Sequence, residues 1–233
     1  MHVPWKNCPS AWAGQYTGKE GTPTLVLEAI ADDRTYIWHS FFGSPGSNND
    51  ININDRSPMW IKIAEESFPK FTYNMSHGEE TNLYYAADNI YPDFPIFMKS
   101  CGDSKDPSIH YYSKRLEAVR KDVERAFGIL QARFAFLKRP CLLWSQEYVH
   151  DAVQCCIILH NMIIEEEEAE NEDSKGSLND YNFTVSEHVR PSYDIFEKYL
   201  ENIRDAQSYH KFKIFRDHLI EHLNNFKRAI SKQ

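Results

Sequence analysis

The stretch from residue 35 to residue 50, TYIWHSFFGSPGSNND, sets the fold and marks where chemistry is expected. Its first half is rich in aromatic and β-branched residues and reads as a strand. Its second half changes character, because Gly43, Pro45, Gly46 and Ser47 are turn residues. Two asparagines then precede Asp50, at a point where a helix can begin. A carboxylate in that place serves as ordinary capping, as a metal ligand, or as both.

Upstream, residues 22–31, TPTLVLEAIA, form a second β-favouring run, and the DDR that follows makes a tight turn. The two runs therefore read as a hairpin. Downstream, ININDRS reads as a short helix, and NLYYAA at 82–87 as a strand ending at Asp88 and the turn NIYPDFP. From about 109 to 134, Leu116, Val119, Val123, Phe127, Leu130 and Phe134 recur at steps of three and four, which is one face of an amphipathic helix. A second helix, about 146 to 166, is apolar on most sides and reads as buried. The run EEEEAENEDSKGSLND then fades into a polar linker. Residues 192–228 read as one or two polar amphipathic helices. Strands followed by long helices, with carboxylates at strand ends, predict an α/β fold.

Composition bounds the function. Of 233 residues 42% are hydrophobic, enough for a sizeable core, and the mean hydropathy of −0.59 is that of a soluble chain. No run approaches the ~18 apolar residues of a membrane span, and MHVPWKNCPS has no leader pattern. Five cysteines without paired spacing point to free thiols and a reducing compartment, the cytosol or nucleus. The net charge of −8 argues against non-specific nucleic-acid binding. That average hides a basic segment, since residues 114–139 hold eight Lys and Arg against three acidic residues.

Glu124 lies in that segment with Arg120 and Arg125 beside it. An isolated helical glutamate of this kind is usually a surface pair worth a few tenths of a kcal/mol. The company of Asp50 and Asp88, each after a strand, raises a second reading. Two-metal phosphoryl transfer needs several carboxylates on hard cations and positive charge to hold the phosphodiester.

The segments WKNCPSAWAGQYTGK, TLVLEAIAD, WHSFFGSPGSNNDIN, YYAADNIYP, RKDVERAFGILQARF and CIILHNMI, in this order, resemble the PIF/Harbinger transposase-derived nucleases of the DDE endonuclease group. The resemblance covers residues 1 to about 168. It implies an RNase H-like nuclease domain over 1–168, an acidic polar linker over 169–190 and a helical tail over 191–233. It also implies metal-dependent phosphodiester hydrolysis or strand transfer on DNA in the nucleus, with Mg²⁺ or Mn²⁺ as cofactor. Carried over, the second metal-binding Asp is Asp50 and the Glu is Glu124, while Asp88 matches a further carboxylate of the family. Arg120, Lys121 and Arg125 are expected to hold backbone phosphate. DNA, and a separate DNA-binding protein, are the implied partners, with neither a membrane nor a small-molecule cofactor.

The family's first Asp lies on the first core strand in a pattern like D-C-x-H. Met1 takes the x and His2 the H, which puts that aspartate two residues before Met1. The first core strand is therefore expected to be largely missing and cleavage impaired, and the family's N-terminal helix-turn-helix region is not expected in this chain. The alternative is a domesticated scaffold, without catalysis, that binds nuclear proteins.

Three patterns have plainer readings. HLIEH, residues 218–222, has the spacing of an inverted zinc-protease motif, but only eleven residues follow it and the third ligand of that class has no place. Cys155, Cys156 and His160 on an apolar helix read as core packing. His39, beside Trp38 and Phe41, reads as a strand-packing residue.

Overall fold

The computed structural model describes residues 1–66, 72–81, 83–102, 104–172 and 193–230. In chain order the elements are β1 (His2–Pro4), α1 (Ala13–Tyr16), β2 (Thr24–Ala31), β3 (Ile37–Pro45), α2 (Asp50–Arg56) and α3 (Met59–Ala64). There follow β4 (Tyr73–Met75), β5 (Gly78–Glu80), β6 (Tyr85–Ala86), β7 (Phe97–Met98) and α4 (Pro107–Arg133). The chain continues through α5 (Ala135–Lys138), α6 (Gln146–Glu172), α7 (Tyr193–Ala206) and α8 (Tyr209–Ile230). The fold is mixed α/β, and none of the described helices is long and apolar enough to cross a membrane.

The chain groups into two compact units, one of residues 1–57 with 121–181 and one of residues 58–120 with 182–233. In the first unit, β1, β2 and β3 form an antiparallel sheet in that order, with His2 opposite Val26 and Glu28 opposite Phe41. The hairpin expected from the two aromatic and β-branched runs is therefore present. The sheet packs Val3, Leu25, Leu27 and Phe42 with Leu130, Val149, Val153 and Ile157 in one core. Each such side chain fully removed from water contributes about 1.5–3 kcal/mol. Trp5, almost fully buried, also donates its indole N–H to Leu143 O at 2.7 Å.

The turn after β3 is built on a close backbone approach. Gly46 N–H donates to Thr24 O at 2.9 Å. A Cβ on Gly46 would collide with Thr24 Oγ1 and lie 2.7 Å from the backbone oxygen of Tyr16. This is why the small residues stand between strand and helix. The helix that starts here, α2, is the short helix expected from ININDRS.

The buried face of α6 is a single stripe of Val149, Val153, Cys156, Ile157, His160 and Ile164. Its opposite side leaves Ile158 57% and Met162 56% exposed, so the helix is not buried on most sides as its composition suggested. The buried Cys156 and His160 do sit in the core as expected, whereas Cys155 is exposed. Residues 169–172 of the expected linker belong to α6, and 173–190 lie outside the described residues.

In the second unit, β4 and β5 form a small antiparallel hairpin, and β6 pairs with β7 in parallel. Its core joins Met75, Met98, Tyr112 and Leu116 to Phe212, Phe215 and Leu219 of α8. The two helices read as a tail thus form one compact unit with residues 58–120. Helix α4 matches its expected span, but Val119, placed on its apolar face by spacing, is 53% exposed.

Candidate metal centre

Alternation along β2 and β3 puts Glu28, Ile30, His39 and Phe41 on one face of the sheet. Glu28 is a carboxylate in the middle of an apolar strand, and its Oε2 is buried without a hydrogen-bond partner. Burial pushes its carboxyl pKa above the ordinary value; the Ser57 hydrogen bond works against this and the charge of Asp50 adds to it. Ser57 caps the C-terminal end of α2, and its hydroxyl also lies 3.1 Å from His39 Nε2. His39 is 2% exposed, so the strand-packing reading holds. With Ser57 donating to Glu28, His39 donates to Ser57, which gives a buried polar chain from β3 to β2.

Asp50 begins α2. Asn49 caps the helix, its side-chain oxygen accepting from Asn52 N–H at 2.8 Å, and the carboxylate of Asp50 then falls in the first turn. Negative charge there is favoured by the helix dipole. Both readings of this residue, capping-region charge and cation ligand, are compatible with that placement. The Met1 ammonium donates to Leu27 O at 2.7 Å. Its pKa is pushed down to about 6 by burial, with the charges of Asp50 and Glu28 pulling the other way. Asp50 and Glu28 thus act on one another and on the start of β1.

Glu124 is exposed on the part of α4 that belongs to the same unit as Asp50. Asp88 belongs to the second unit, at the turn after β6, where its Oδ1 accepts from Asn89 N–H at 2.7 Å. Of the basic residues, Arg120 binds Glu117 at 3.2 Å and lies 3.9 Å from Asp88. Arg125 pairs with Asp122 at 3.3 Å and donates to the carbonyl oxygen of Asp33. Lys121 is exposed. Pairs of this kind at the surface are worth ~1 kcal/mol or less, so a phosphate can displace them.

The sequence reading missed Glu28 and Ser57. The available signal was a lone carboxylate in TLVLEAIA, since strand interiors seldom carry an unpaired acid without a reason.

A family model described as plant transposon protein matches residues 1–171. The chain belongs to that family. The matched span of this plant transposon protein includes β1 and all of α6 except its last residue, with Glu28, Asp50, Asp88 and Glu124 inside it, but neither α7 nor α8. Comparison with curated proteins and with solved structures gave no match.

Proposed function

We propose that this plant transposon protein carries a DDE-type nuclease site on an RNase H-like core, acting on the phosphodiester backbone of DNA in the nucleus. The observation that carries the reading is the orphaned, buried Oε2 of Glu28 within the field of Asp50. A buried oxygen without a hydrogen-bond partner in the field of a second carboxylate is costly, and carboxylate oxygens suit Mg²⁺ or Mn²⁺. The residues present therefore fit a hard divalent ion. Asp50 and Glu124 are assigned as its ligands, with the charge of Asp50 acting on Glu28. Asp88, the further carboxylate of the resemblance, belongs to the second unit and is not assigned to this ion. The bound ion would supply Lewis-acid stabilisation of charge on phosphate oxygens and a more acidic water.

The chain's own residues have separate tasks. Arg120 and Arg125 hold the phosphate backbone by exchanging their present carboxylate partners for phosphate oxygens, and the exposed Lys121 adds a third cation. The Glu28–Ser57–His39 chain fixes the carboxylate face of the sheet. The antiparallel order β1-β2-β3 followed by the Asp50 turn supports the RNase H-like reading.

The test is Mn²⁺ binding by paramagnetic resonance on the purified chain, with nicking of supercoiled DNA as the second readout. The nuclease reading expects binding that Asp50→Asn and Glu124→Gln each weaken. Absence of binding at millimolar Mn²⁺, with the chain folded, sinks it and leaves the protein-binding scaffold as the reading.

A further inference from the structure

The β4–β5 hairpin has three residues in each strand, joined by the two-residue turn Ser76–His77. A hairpin this short does not hold by itself in water, so it needs anchors. Met75 supplies one by packing with Phe212, Phe215 and Leu219. The turn is gripped by α8 as well: Asn225 Nδ2 donates to Ser76 Oγ at 3.2 Å, and His222 Nδ1 lies 3.4 Å from the same oxygen. One helical turn earlier, the ring of His218 approaches the ring of His77 with centroids 3.7 Å apart. Glu80 Oε2 stands 3.8 Å from His77 Nε2. The three side chains each offer one ligand atom, and these atoms all lie within 4.8 Å of one another.

We propose that His77, Glu80 and His218 form a zinc site that fastens the β4–β5 hairpin to α8. Two imidazoles and one carboxylate are a donor set for a borderline-soft ion, whereas Mg²⁺ and Ca²⁺ take oxygen. Zinc bonds of roughly 2.0–2.2 Å in a tetrahedron put ligand atoms about 3.3–3.6 Å apart. The observed set closes to that spacing by side-chain rotations on the order of 1 Å, within the rotamer freedom of surface-facing groups. The two imidazole rings, tilted by 36° at van der Waals distance, gain little attraction from each other by themselves. A cation shared by their ring nitrogens supplies the attraction that the approach otherwise lacks.

Access is provided for. Glu80 and His218 also line a cavity of about 760 Å³, together with Thr81, Asp205 and Lys211. Three protein ligands leave the fourth tetrahedral position to water from that side. The two histidines of HLIEH, which spacing alone suggested as co-ligands, reach different targets: His218 meets His77 and Glu80, and His222 meets Ser76. None of these three residues is among the carboxylates assigned to the nuclease reading, and His218 lies beyond the residues matched by the family model.

The test uses the full chain, stripped with a chelator and titrated with Zn²⁺ against a chromophoric competitor. With excess Mg²⁺ present to keep the carboxylates of the nuclease reading occupied, one Zn²⁺ per chain should bind tightly and raise the thermal midpoint. His77→Ala and His218→Ala should each lower the affinity on the order of 100-fold or more, given that even outer-shell changes reach 10–100-fold. Glu80→Gln, which keeps the side-chain volume, provides the same reading should a histidine variant not fold. Glu221→Gln, at an exposed position on the same helix as His218 and outside the three ligands, should leave Zn²⁺ affinity unchanged. Co²⁺ in place of Zn²⁺ should show weak ligand-field absorption without a thiolate charge-transfer band. No stoichiometric binding, affinity retained in His218→Ala or Glu80→Gln, or a thiolate band would each overturn the proposal.

Discussion

His160 Nε2 lies 2.9 Å from the carbonyl oxygen of Thr35, and this pair ties α6 to the turn between β2 and β3. Thr35 has φ 72°, a left-handed conformation that a β-branched residue rarely adopts. The other ring nitrogen of His160 faces Arg133 Nη1 at 3.2 Å. A guanidinium can only donate, so Nδ1 accepts and the ring proton sits on Nε2, where it donates to Thr35. The buried imidazole is therefore neutral, in one tautomer. It holds a strained turn at the closed end of the hairpin.

A pH dependence follows. Burial is the largest influence and pushes the His160 pKa below 6.5, and Arg133 adds to this while Thr35 and Glu167 oppose it. In the unfolded chain the imidazole takes up a proton near 6.5, but the folded site resists it. The unfolded state thus binds more protons, and stability contributed by the neutral ring is present above 6.5 and lost as pH falls through the folded pKa. The urea midpoint should drop between about pH 7 and pH 5, and less so in His160→Gln. His160→Ala should cost about 2–4 kcal/mol at neutral pH, because it leaves a cavity and an unpaired Thr35 carbonyl and removes one of the acceptors of Arg133.

Gly46 is the second point where geometry forbids change. A Cβ there meets Thr24 Oγ1 and the Tyr16 backbone oxygen, and backbone atoms cannot rotate aside as a side-chain end can. Gly46→Ala should destabilise by about 2–4 kcal/mol, in the range of overpacked sites, as read from the denaturant midpoint. Gly14→Ala, where a Cβ meets nothing within 4 Å, is the matched control and should be near neutral.

The elements legible in the sequence are those whose pattern is local. Alternation from Thr24 to Pro45, the small-residue turn and the i, i+3, i+4 spacing of α4 each announce an element within a short window, and the structure contains all of them. Val119 fails for a non-local reason. Leu116 packs in the core of the second unit and Leu130 in that of the first, so α4 does not bury one continuous stripe. The convergence of α8 on Met75, and of His218 on His77, depends on contacts between residues far apart in the chain. No periodicity encodes those. Glu28 was visible as a residue type, but its isolation appears only once Oε2 is found buried.

Asn49 converts the turn into a helix. Its side chain satisfies Asn52 N–H, one of the donors that no helical carbonyl can reach. Asn49→Ala should cost about 1 kcal/mol of stability, whereas Asn49→Asp or Asn49→Ser should retain most of it. Since Asp50 is the next residue, the proposed nuclease reading adds a second expectation. Mn²⁺ affinity should fall in Asn49→Ala and recover in Asn49→Ser, which a purely structural cap would not produce.

Glu28 separates stability from function most directly. Burial and the charge of Asp50 both raise its carboxyl pKa, so the ionised form is disfavoured in the fold. Between 4.5 and the raised folded value the native state binds more protons than the unfolded one, and this contribution to stability weakens as pH rises through that window. Above that window the metal-free chain therefore carries a destabilising charge that Glu28→Gln removes. The variant keeps the size of the side chain and its ability to accept from Ser57. Its urea midpoint at neutral pH should exceed that of the parent chain, and the difference should shrink as pH falls toward 4.5. Mn²⁺ affinity should move the other way, falling on the order of 10- to 100-fold, because an oxygen supporting the ion has lost its charge. A gain in stability with unchanged Mn²⁺ affinity would show that Glu28 is a burial defect with no part in the metal centre. A loss in both would mean that the ionised carboxylate is satisfied in the fold and that its orphaned oxygen has been misread.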